Sequence, residues 1–415
     1  MKWKPYPEYK RLGVEWLGEV PANWRVKQLK RTFVILNGST PRTAEPDYWD
    51  GEIRWATPDD LGALQGDTLE TTRRMITREG YESCGTTLAP QGSLVLSTRA
   101  PIGHLALTGS PVCTNQGCRC LVFRAEDDAR FFYYHLLSTK QVLESWGQGS
   151  TFKELSRDGL GGIRLTSPPV SEQRAIAGFL DRETGRIDAL IEKKERQIEL
   201  LQEKRSALIS HTVTKGLNPN VRVKDSGIQW LGQIPAHWVL IRFKYAMVLQ
   251  RGYDLPREQF IEGQYPVYAS NGIIGFHNEY TTSGPSITVG RSGSVGEINY
   301  IQKDFWAHNT ALYVKTFLGV MPRFGYYLLT ALDVRYLSEG SAVGTLNRNY
   351  IHNLRIVLPG GSEQRIIAAF LDKEMIRIDT LMERIRESIN TLREYRTALI
   401  TAAVTGKIDV REEVA

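Results

Sequence analysis

The chain has 415 residues, of which 41% are hydrophobic and 24% charged, the ordinary shares of a folded protein with more than one domain. Its 52 Lys and Arg residues against 46 Asp and Glu give a net charge of +6, a mild preference for polyanionic partners and not a strongly basic tail. No apolar run is long enough to cross a membrane and the start lacks the apolar stretch of a signal peptide, so we expect a cytoplasmic protein.

Two segments of the chain occur twice. GVEWLGEVPANW, from Gly13 to Trp24, returns as GIQWLGQIPAHW from Gly227 to Trp238. A longer segment, 171–217, returns without a gap as 362–408, an offset of 191 positions (171 to 362). Two copies are too few for a solenoid, which needs three or more stacked units. The alternatives are a duplicated structural core and one repeated framework that carries two independently varied domains.

The region that follows the first lead-in, about 26–166, predicts an α+β domain with a mixed sheet, and so does the region 240–357. Short alternating runs indicate strands, and a helix recurs as Phe131–Ser138 and Phe324–Ala331. A loop after each helix is also matched, Gly149-Ser150 to Leu155-Ser156-Arg157 against Gly340-Ser341 to Leu346-Asn347-Arg348. The clearest strand candidates are Gly92–Ser97, Leu121–Phe123, Pro285–Gly290 and Ala311–Lys315.

The four cysteines lie in the first half and have no counterparts in the second. Cys118 and Cys120 are separated by one residue, a spacing that fits no common zinc site. We therefore expect free thiols and no bound metal at Cys84, Cys113, Cys118 and Cys120.

Each copy of the longer segment has the pattern of one long helix. Each opens with Ser followed by Glu, so we predict that Ser171 and Ser362 cap the two helices, and that Gly216 ends the first. Apolar residues then recur at alternating steps of four and three, the period of a coiled coil. We predict that the helices pair with each other through these apolar seams; the alternative is that each packs on its own domain. The seams are Ile187, Ile191, Lys194, Ile198, Leu201, Arg205 and Leu208, and Ile378, Met382, Ile385, Ile389, Leu392, Arg396 and Leu399.

Three short motifs resemble catalytic or cofactor sites and are better explained otherwise. Ser167-Pro168-Pro169-Val170 lacks the amide or acid and the aromatic ring of an adenine methyltransferase, and is typical of a helix start. The glycines from Gly290 to Gly296 lack the Lys-Ser/Thr of a phosphate-binding loop and favour a tight turn. Pro58-Asp59-Asp60 lacks the acid-x-Lys of a metal-dependent nuclease. We therefore expect no catalytic residue in this chain.

The repeated SEQR…FLD…RID helix, the WLG…P..W lead-in and the two divergent regions resemble the specificity subunit of type I restriction-modification enzymes. The resemblance extends from about Gly13 to Ile408. It implies a non-catalytic subunit with two target recognition domains, each reading one half of an asymmetric, two-part DNA site. It also implies two docked methyltransferase subunits that bring S-adenosylmethionine for adenine N6 methylation, with motor-nuclease subunits as possible further partners.

The predicted fold class is α+β. Two similar target recognition domains are separated by two long helices that pair as an antiparallel coiled coil with pseudo-twofold symmetry. We predict the domains as 1–166 and 218–357, and the helical spacers as 167–217 and 358–415. A helix of about 25 residues past Arg-Ile-Asp is about 38 Å long, close to the about 34–36 Å between half-sites one DNA turn apart.

Base reading favours Arg, Asn, Gln and small polar side chains on exposed loops. Arg99 and Arg291, and likewise Arg157 and Arg348, recur at matched places, which favours contacts to phosphate. For each candidate the alternative is a surface charge or a local hydrogen bond. The predicted DNA-binding residues are Ser39, Thr40, Arg42, Arg99, Lys153, Arg157, Arg251, Ser270, Asn271, Arg291, Asn347 and Arg348.

Two other classes of function remain open from the sequence. A self-sufficient modification or restriction enzyme would need catalytic motifs that the residues do not supply. A coiled-coil adaptor without a nucleic-acid role would leave the two divergent domains unexplained. A purified chain that methylates DNA unaided would favour the first, and one that binds only proteins would favour the second.

Overall fold

The computed structural model describes residues 3–11, 13–148, 153–338 and 344–413. The chain divides into two compact units, one formed by Met1–Lys193 with Ser388–Ala415 and the other by Lys194–Glu387. Among the described residues, no helix is long and apolar enough to span a membrane. Gly149, Ser150, Gly340 and Ser341, named in the predicted loop match, lie outside the described residues.

The first unit contains short strands and short helices. Its strands are β1 (Tyr9–Arg11), β2 (Glu19–Pro21), β3 (Arg25–Gln28), β4 (Phe33–Asn37), β5 (Trp49–Ala56), β6 (Thr68–Leu69), β7 (Met75–Ile76), β8 (Leu94–Thr98), β9 (Ile102–Thr108), β10 (Val112–Thr114), β11 (Cys118–Phe123) and β12 (Arg164–Ser167). Its short helices are α1 (Leu29–Thr32), α2 (Pro58–Gly62), α3 (Arg78–Glu82), α4 (Ala129–Ser138), α5 (Lys140–Ser145) and α6 (Arg157–Gly162), with a 3-10 turn at Pro46–Tyr48.

Two sheets form the body of the first unit. One has the order β4-β11-β8-β9-β6, antiparallel except for the parallel pair β6–β9, and the other has the order β10-β5-β7. β12 pairs with β3, and β1 pairs with β2. The mixed sheet predicted for this region is confirmed.

Helix α7 (Val170–Lys215) follows β12 and contributes residues to both units. The remaining strands are β13 (Val223–Asp225), β14 (Gln233–Pro235), β15 (Val239–Arg242), β16 (Met247–Arg251), β17 (Tyr265–Ala269), β18 (Gly272–His277), β19 (Ser286–Gly290), β20 (Ile298–Ile301), β21 (Trp306–Ala307), β22 (Ala311–Phe317) and β23 (Arg355–Leu358). The remaining helices are α8 (Pro322–Ala331), α9 (Arg348–Asn353) and α10 (Gly361–Val404), with 3-10 turns at Phe243–Tyr245, Arg257–Gln259, Val334–Ser338 and Arg411–Glu413.

Among the described residues, the second unit repeats the strand order of the first without a counterpart of β6. Its sheets are β16-β22-β19-β20 and β18-β17-β21, with the pairs β15–β23 and β13–β14. β17–β21 is parallel, as β5–β10 is in the first unit. The prediction that the two regions share an α+β fold is confirmed. The four-segment division of the chain stays a prediction, because the compact units divide both long helices.

Each long helix begins one residue before its predicted serine cap. α7 starts at Val170, and the carbonyl of Pro169 accepts hydrogen bonds from the N–H groups of Glu172 and Gln173. Ser171 and Ser362 therefore lie inside the first turn, and the prediction that they are N-caps is wrong. The predicted C-terminus is confirmed, because α7 ends at Lys215 and Gly216 has a φ of +79°.

The residues that recur in both helices attach each sheet domain to its helix. The side chain of Gln173 donates to the Pro168 carbonyl (3.0 Å) and accepts from the N–H of Asp128, the residue that caps α4 (2.8 Å). Gln364 repeats this with the Pro359 carbonyl (3.0 Å) and the N–H of Met321 (2.8 Å) before α8.

The aspartate of the repeated FLD motif fixes the same short helix. Asp181 accepts from the Arg130 guanidinium (2.5 Å) and the Tyr134 hydroxyl (2.7 Å) of α4. The equivalent Asp372 accepts from Arg323 and Tyr327 of α8, at 2.6 Å each. The same residue types therefore make the same contacts in both units.

Candidate nucleic-acid interface

In the first unit, hydrogen bonds bring three loops to one edge of the sheets. The N–H of Ser39, two residues after β4, donates to the Thr114 carbonyl (2.9 Å). The Thr40 hydroxyl donates to Gln116 Oε1 (2.5 Å), and the Trp55 indole donates to the Ser39 carbonyl (2.9 Å). The loop 38–42 is thereby joined to the β10–β11 loop. Arg42 is exposed beyond it, and its carbonyl accepts from the Trp49 indole (3.2 Å).

The turn after β8 joins the same edge through Glu154. The N–H of Thr98 donates to the Gly117 carbonyl (2.8 Å), and its carbonyl accepts from the N–H of Leu155 (2.9 Å). Arg99 lies 3.6 Å from the Glu154 carboxylate, nitrogen to oxygen, and Arg119 lies 3.8 Å from it. Burial lowers the pKa of Arg119, and the negative charge of Glu154 opposes that effect.

The remaining candidates of the first unit are exposed cations beside this group. Lys153 is exposed, and so is Arg157, the first residue of α6. Arg157 lines a cleft of about 680 Å³ with Lys30, Arg31 and Arg124. An exposed cleft with several guanidinium and ammonium groups is suited to phosphate oxygens.

In the second unit, four of the six candidates line one cleft of about 1130 Å³. Arg251 ends β16, Arg291 follows β19, and Asn347 and Arg348 start α9. The Asn347 side chain caps α9 by accepting from the N–H of Asn349 (2.9 Å). The predicted residues therefore meet at the ends of strands equivalent to those of the first unit.

The other two candidates of the second unit lie beside this cleft, on the β17–β18 hairpin. The N–H of Ser270 donates to the Thr310 hydroxyl (3.2 Å), and the N–H of Arg291 donates to the Thr310 carbonyl (2.8 Å). Ser270 is buried, whereas Asn271 is exposed at the tip. Of the two, only Asn271 therefore presents its side chain to a macromolecular ligand.

The cleft of the second unit carries positive charge that is largely unneutralised. Arg251 lies 3.6 Å from Asp254. Among the residues that the structure describes, the side chains of Arg291 and Arg348 form no ion pair or hydrogen bond. Guanidinium groups of this kind bind phosphate or the O6 and N7 atoms of guanine.

Sequence reasoning missed several residues at both edges. Gln250, Tyr253 and Tyr350 line the second cleft, and Arg119 and Glu154 lie among the first-unit candidates. They come from strand ends and loops far apart in the chain, so no local spacing marked them. The position of Glu154, just before the matched Leu-Ser-Arg and Leu-Asn-Arg loops, was the one available signal.

The motifs considered for catalysis have structural contacts. Asp60 accepts from the N–H and hydroxyl of Thr57 and from the N–H of Arg73, so it closes a capping box at α2. Gly290 turns tightly, since a Cβ there would lie 1.9 Å from the Ser294 carbonyl oxygen. Within the described ranges, no group of three or more His, Cys, Asp or Glu side chains could hold a metal ion.

The seam residues contact the opposite helix within each unit. In the first, Ile187 and Ile191 of α7 and Leu392 and Leu399 of α10 belong to one apolar core. In the second, Ile198, Leu201 and Leu208 share a core with Ile378 and Met382. Ile389 is buried, and Lys194 and Ile385 are half-buried. Because residues early in one helix meet residues late in the other, the paired segments run antiparallel in each unit.

The chain contains two α+β units of one topology, each built on a copy of the repeated long helix. Each unit has polar and basic loops at the same sheet edge, which is the arrangement of a modular binding protein. Comparison with known proteins gives its family. The sequence profile described as "Type I restriction modification DNA specificity domain" matches residues 21–200 and 255–391. The chain belongs to this family.

Curated relatives match along nearly their whole length. The MjaIX specificity subunit of a type I restriction enzyme from Methanocaldococcus jannaschii is 27% identical, over 95% of this chain and 96% of the relative. The EcoprrI specificity subunit from Escherichia coli is 24% identical over 90% of each. The chain is therefore a specificity subunit of the type I restriction-modification class.

Two solved structures share the fold. One, described as "Structural basis underlying complex assembly and conformational transition of the type I R-M system", has a TM-score of 0.75 at 14% identity and covers 94% of this chain and 99% of that one. The HsdS subunit from Thermoanaerobacter tengcongensis has a TM-score of 0.54 at 16% identity, covering 94% and 98%.

Proposed function

We propose that this specificity subunit reads an asymmetric, two-part DNA site, with one sheet domain for each half. The observation that carries the proposal is that unlike loop residues occupy equivalent edges of two sheets with the same strand order. Because the reading loops differ, the two half-sites differ, and the whole site is not a palindrome.

Within each domain, exposed cations position the DNA and neutral polar groups read bases. Arg157 and Arg348 begin equivalent short helices and are exposed, which suits contact with phosphate. Asn271 is exposed at a hairpin tip and has the bidentate amide that recognises adenine. Replacement of a phosphate contact weakens binding to all sequences, whereas replacement of a base contact relaxes one position.

Methyltransferase subunits dock on the long helices. Leu190 of α7 and Leu381 of α10, at equivalent positions of the repeat, are 48% and 40% exposed. Exposed apolar side chains on an otherwise charged helix favour a protein partner. The partner binds S-adenosylmethionine and transfers its methyl group to adenine N6, and this chain supplies only the sequence specificity. The complex works in the cytoplasm, and motor-nuclease subunits complete it where DNA is cleaved.

The proposal is tested by reconstitution with the methyltransferase subunits that assemble with this chain. A randomised plasmid library is methylated, and N6-methyladenine is mapped by sequencing. We expect one two-part motif with the complete assembly, and none with either component alone. Methylation by the chain alone would show that it is an enzyme, and protein binding without DNA affinity would show an adaptor.

A further inference from the structure

Glu154 places a carboxylate in the middle of the edge where the first domain meets DNA in the proposed function. Its backbone is held on both sides, because its N–H and carbonyl exchange hydrogen bonds with Gln148 (2.9 and 3.0 Å). Its neighbour Leu155 is bonded to the end of β8. The backbone of Glu154 is therefore held at this edge.

One guanidinium approaches each oxygen of this carboxylate. Arg99 lies 3.6 Å from Oε2, and Arg119 lies 3.8 Å from Oε1. Arg119 is itself held by the carbonyls of Gln116 (3.0 Å) and Cys118 (3.1 Å), and its side chain is only 12% exposed. These two cations restrict the orientation of the carboxylate.

The carboxylate keeps capacity to accept further hydrogen bonds. Its side chain is 43% exposed, and both guanidinium distances exceed those of a hydrogen bond. An ionised carboxylate has about four lone-pair positions. At least one of them is available to a donor that arrives from solvent.

A negative charge at this place opposes non-specific DNA binding. Phosphate groups repel it, and a carboxylate brought against DNA loses water. Among base edges of the major groove, the exocyclic amino group of cytosine is the donor that Glu and Asp recognise. A base with an amino donor there offsets the cost, whereas guanine and thymine, which present only acceptors in the major groove, leave the carboxylate unpaired.

The second domain lacks this charge. The matched loop has Thr345 where the first has Glu154, followed by Leu346, whose N–H donates to the Arg291 carbonyl (2.8 Å). In the described part of the chain, Arg291 has no carboxylate partner, unlike Arg99. The two edges thus differ in charge at the position of Glu154.

We propose that Glu154 is a specificity-determining residue of the first domain, whose carboxylate accepts a hydrogen bond from the N4 amino group of a cytosine in the first half-site. Arg99 and Arg119 are positioning residues that hold this carboxylate. The inference rests on the proposed function, and it names one base that the first domain reads.

The test compares the complete assembly containing wild-type chain, Glu154→Thr or Glu154→Gln on the same methylation library. We expect both variants to raise methylation of sites with another base at one cytosine position of the first half-site by about five-fold or more. The second half-site should be unchanged. An unchanged motif, relaxation in both halves, or a first half-site without a cytosine on either strand would overturn the proposal.

Glu126→Gln is the matched control. Glu126 also pairs with an arginine, Arg174, at 3.7 Å. It lies after the C-terminal end of β11, whereas Arg119 lies near the N-terminal end of that strand. We expect Glu126→Gln, which removes the same charge, to leave the methylated motif unaltered. A relaxation equal to that of Glu154→Gln would show a general effect of charge and overturn the specific contact.

A second measurement uses wild-type protein and so does not depend on the folding of a variant. In the cognate duplex, that cytosine is replaced by N4-methylcytosine, whose methyl group blocks the major-groove hydrogen of N4. We expect wild-type binding to weaken by about five-fold or more. Equal affinity for both duplexes would overturn the contact. Absence of any sequence-directed methylation by the wild-type assembly would instead refute the proposed function itself.

Discussion

Glu172 and Glu363 each accept a hydrogen bond from the tryptophan that ends the repeated lead-in. The Trp24 and Trp238 indoles donate to them at 3.0 Å. In the first unit the Tyr6 hydroxyl donates as well (2.5 Å), and the side chain of Glu172 is 5% exposed, whereas that of Glu363 is 31% exposed. The same motif therefore makes a buried contact in one unit and a partly solvated one in the other.

This difference in burial predicts that the same substitution lowers the free energy of unfolding by different amounts at the two positions. Glu172→Ala leaves two buried donors unpaired, at about 1–3 kcal/mol each, while water compensates much of the loss in Glu363→Ala. We expect the first variant to lower the free energy of unfolding in urea by at least about 1 kcal/mol more than the second. Equal losses would contradict this account.

The buried ring of His135 should make the stability of the protein depend on pH. The ring is fully buried, and its Nε2 accepts from the N–H of Thr166 (2.9 Å), so burial lowers its pKa to about 4. The unfolded chain binds the proton first, near its ordinary pKa of 6.5. The stability that the neutral ring contributes is complete above pH 6.5 and is lost as the pH falls towards 4, by up to about 3 kcal/mol.

The measurement is the free energy of unfolding between pH 7 and pH 4.5, for the wild type and for His135→Gln. Glutamine can still accept from the Thr166 N–H but does not titrate. The variant should lose less stability than the wild type across that interval. Parallel curves would show that His135 does not contribute to the pH dependence.

At the residue scale, the sequence predicts the framework better than the site. Identical residues in the two copies, such as Glu172, Gln173 and Asp181, mark contacts that both units need. Glu154 and Arg99 come together from positions 55 residues apart, 154 and 99, because loop 153–157 returns to the end of β8. Local spacing carries no signal for such a pair.

At the scale of elements, the arginines that interrupt the apolar seams have a structural reason. In the first unit Arg396 of α10 donates to Asp188 of α7 (2.9 Å), and in the second Arg205 of α7 donates to Asp379 of α10 (2.7 Å). Both aspartates belong to the repeated RID motif. The periodicity predicted the partner helix, but it could not identify the aspartate that each arginine meets.

These ion pairs predict a modest coupling between the helices. Their side chains are 31–52% exposed, so solvent screens them and the expected coupling is about 0.2–1 kcal/mol. A double-mutant cycle with Asp188→Asn and Arg396→Gln measures it. The pair Arg186–Glu183, within one helix, is the control for local effects. A coupling near zero in the cycle would show that the seam is held by apolar contacts alone.

Strand positions were predicted well for short apolar runs such as those of β8 and β22, whose residues are mostly buried. The order of the strands was not predictable, because parallel pairs such as β5–β10 join segments far apart in the chain. The residues that cap the long helices lie two positions before the predicted serines, since the Pro169 and Gly360 carbonyls receive the first N–H groups.

At the scale of the whole molecule, the proposed spacer role of the long helices makes a geometric prediction. Deletion of 194–200 together with the equivalent 385–391 removes one heptad from each helix and keeps the seams in register. Seven residues are about 10 Å of helix, or about three base pairs. We expect the unread spacer of the methylated motif to shorten by about three base pairs, or methylation to fall sharply. An unchanged motif at full activity would contradict the spacer role.

The central claim is that each sheet domain reads its own half-site independently. The most direct measurement replaces residues 26–166 with the corresponding region of another specificity subunit and maps N6-methyladenine with and without the exchange. The account predicts a motif in which one half comes from the donor and the other half is unchanged. A motif altered in both halves, or unaltered in either, would contradict it.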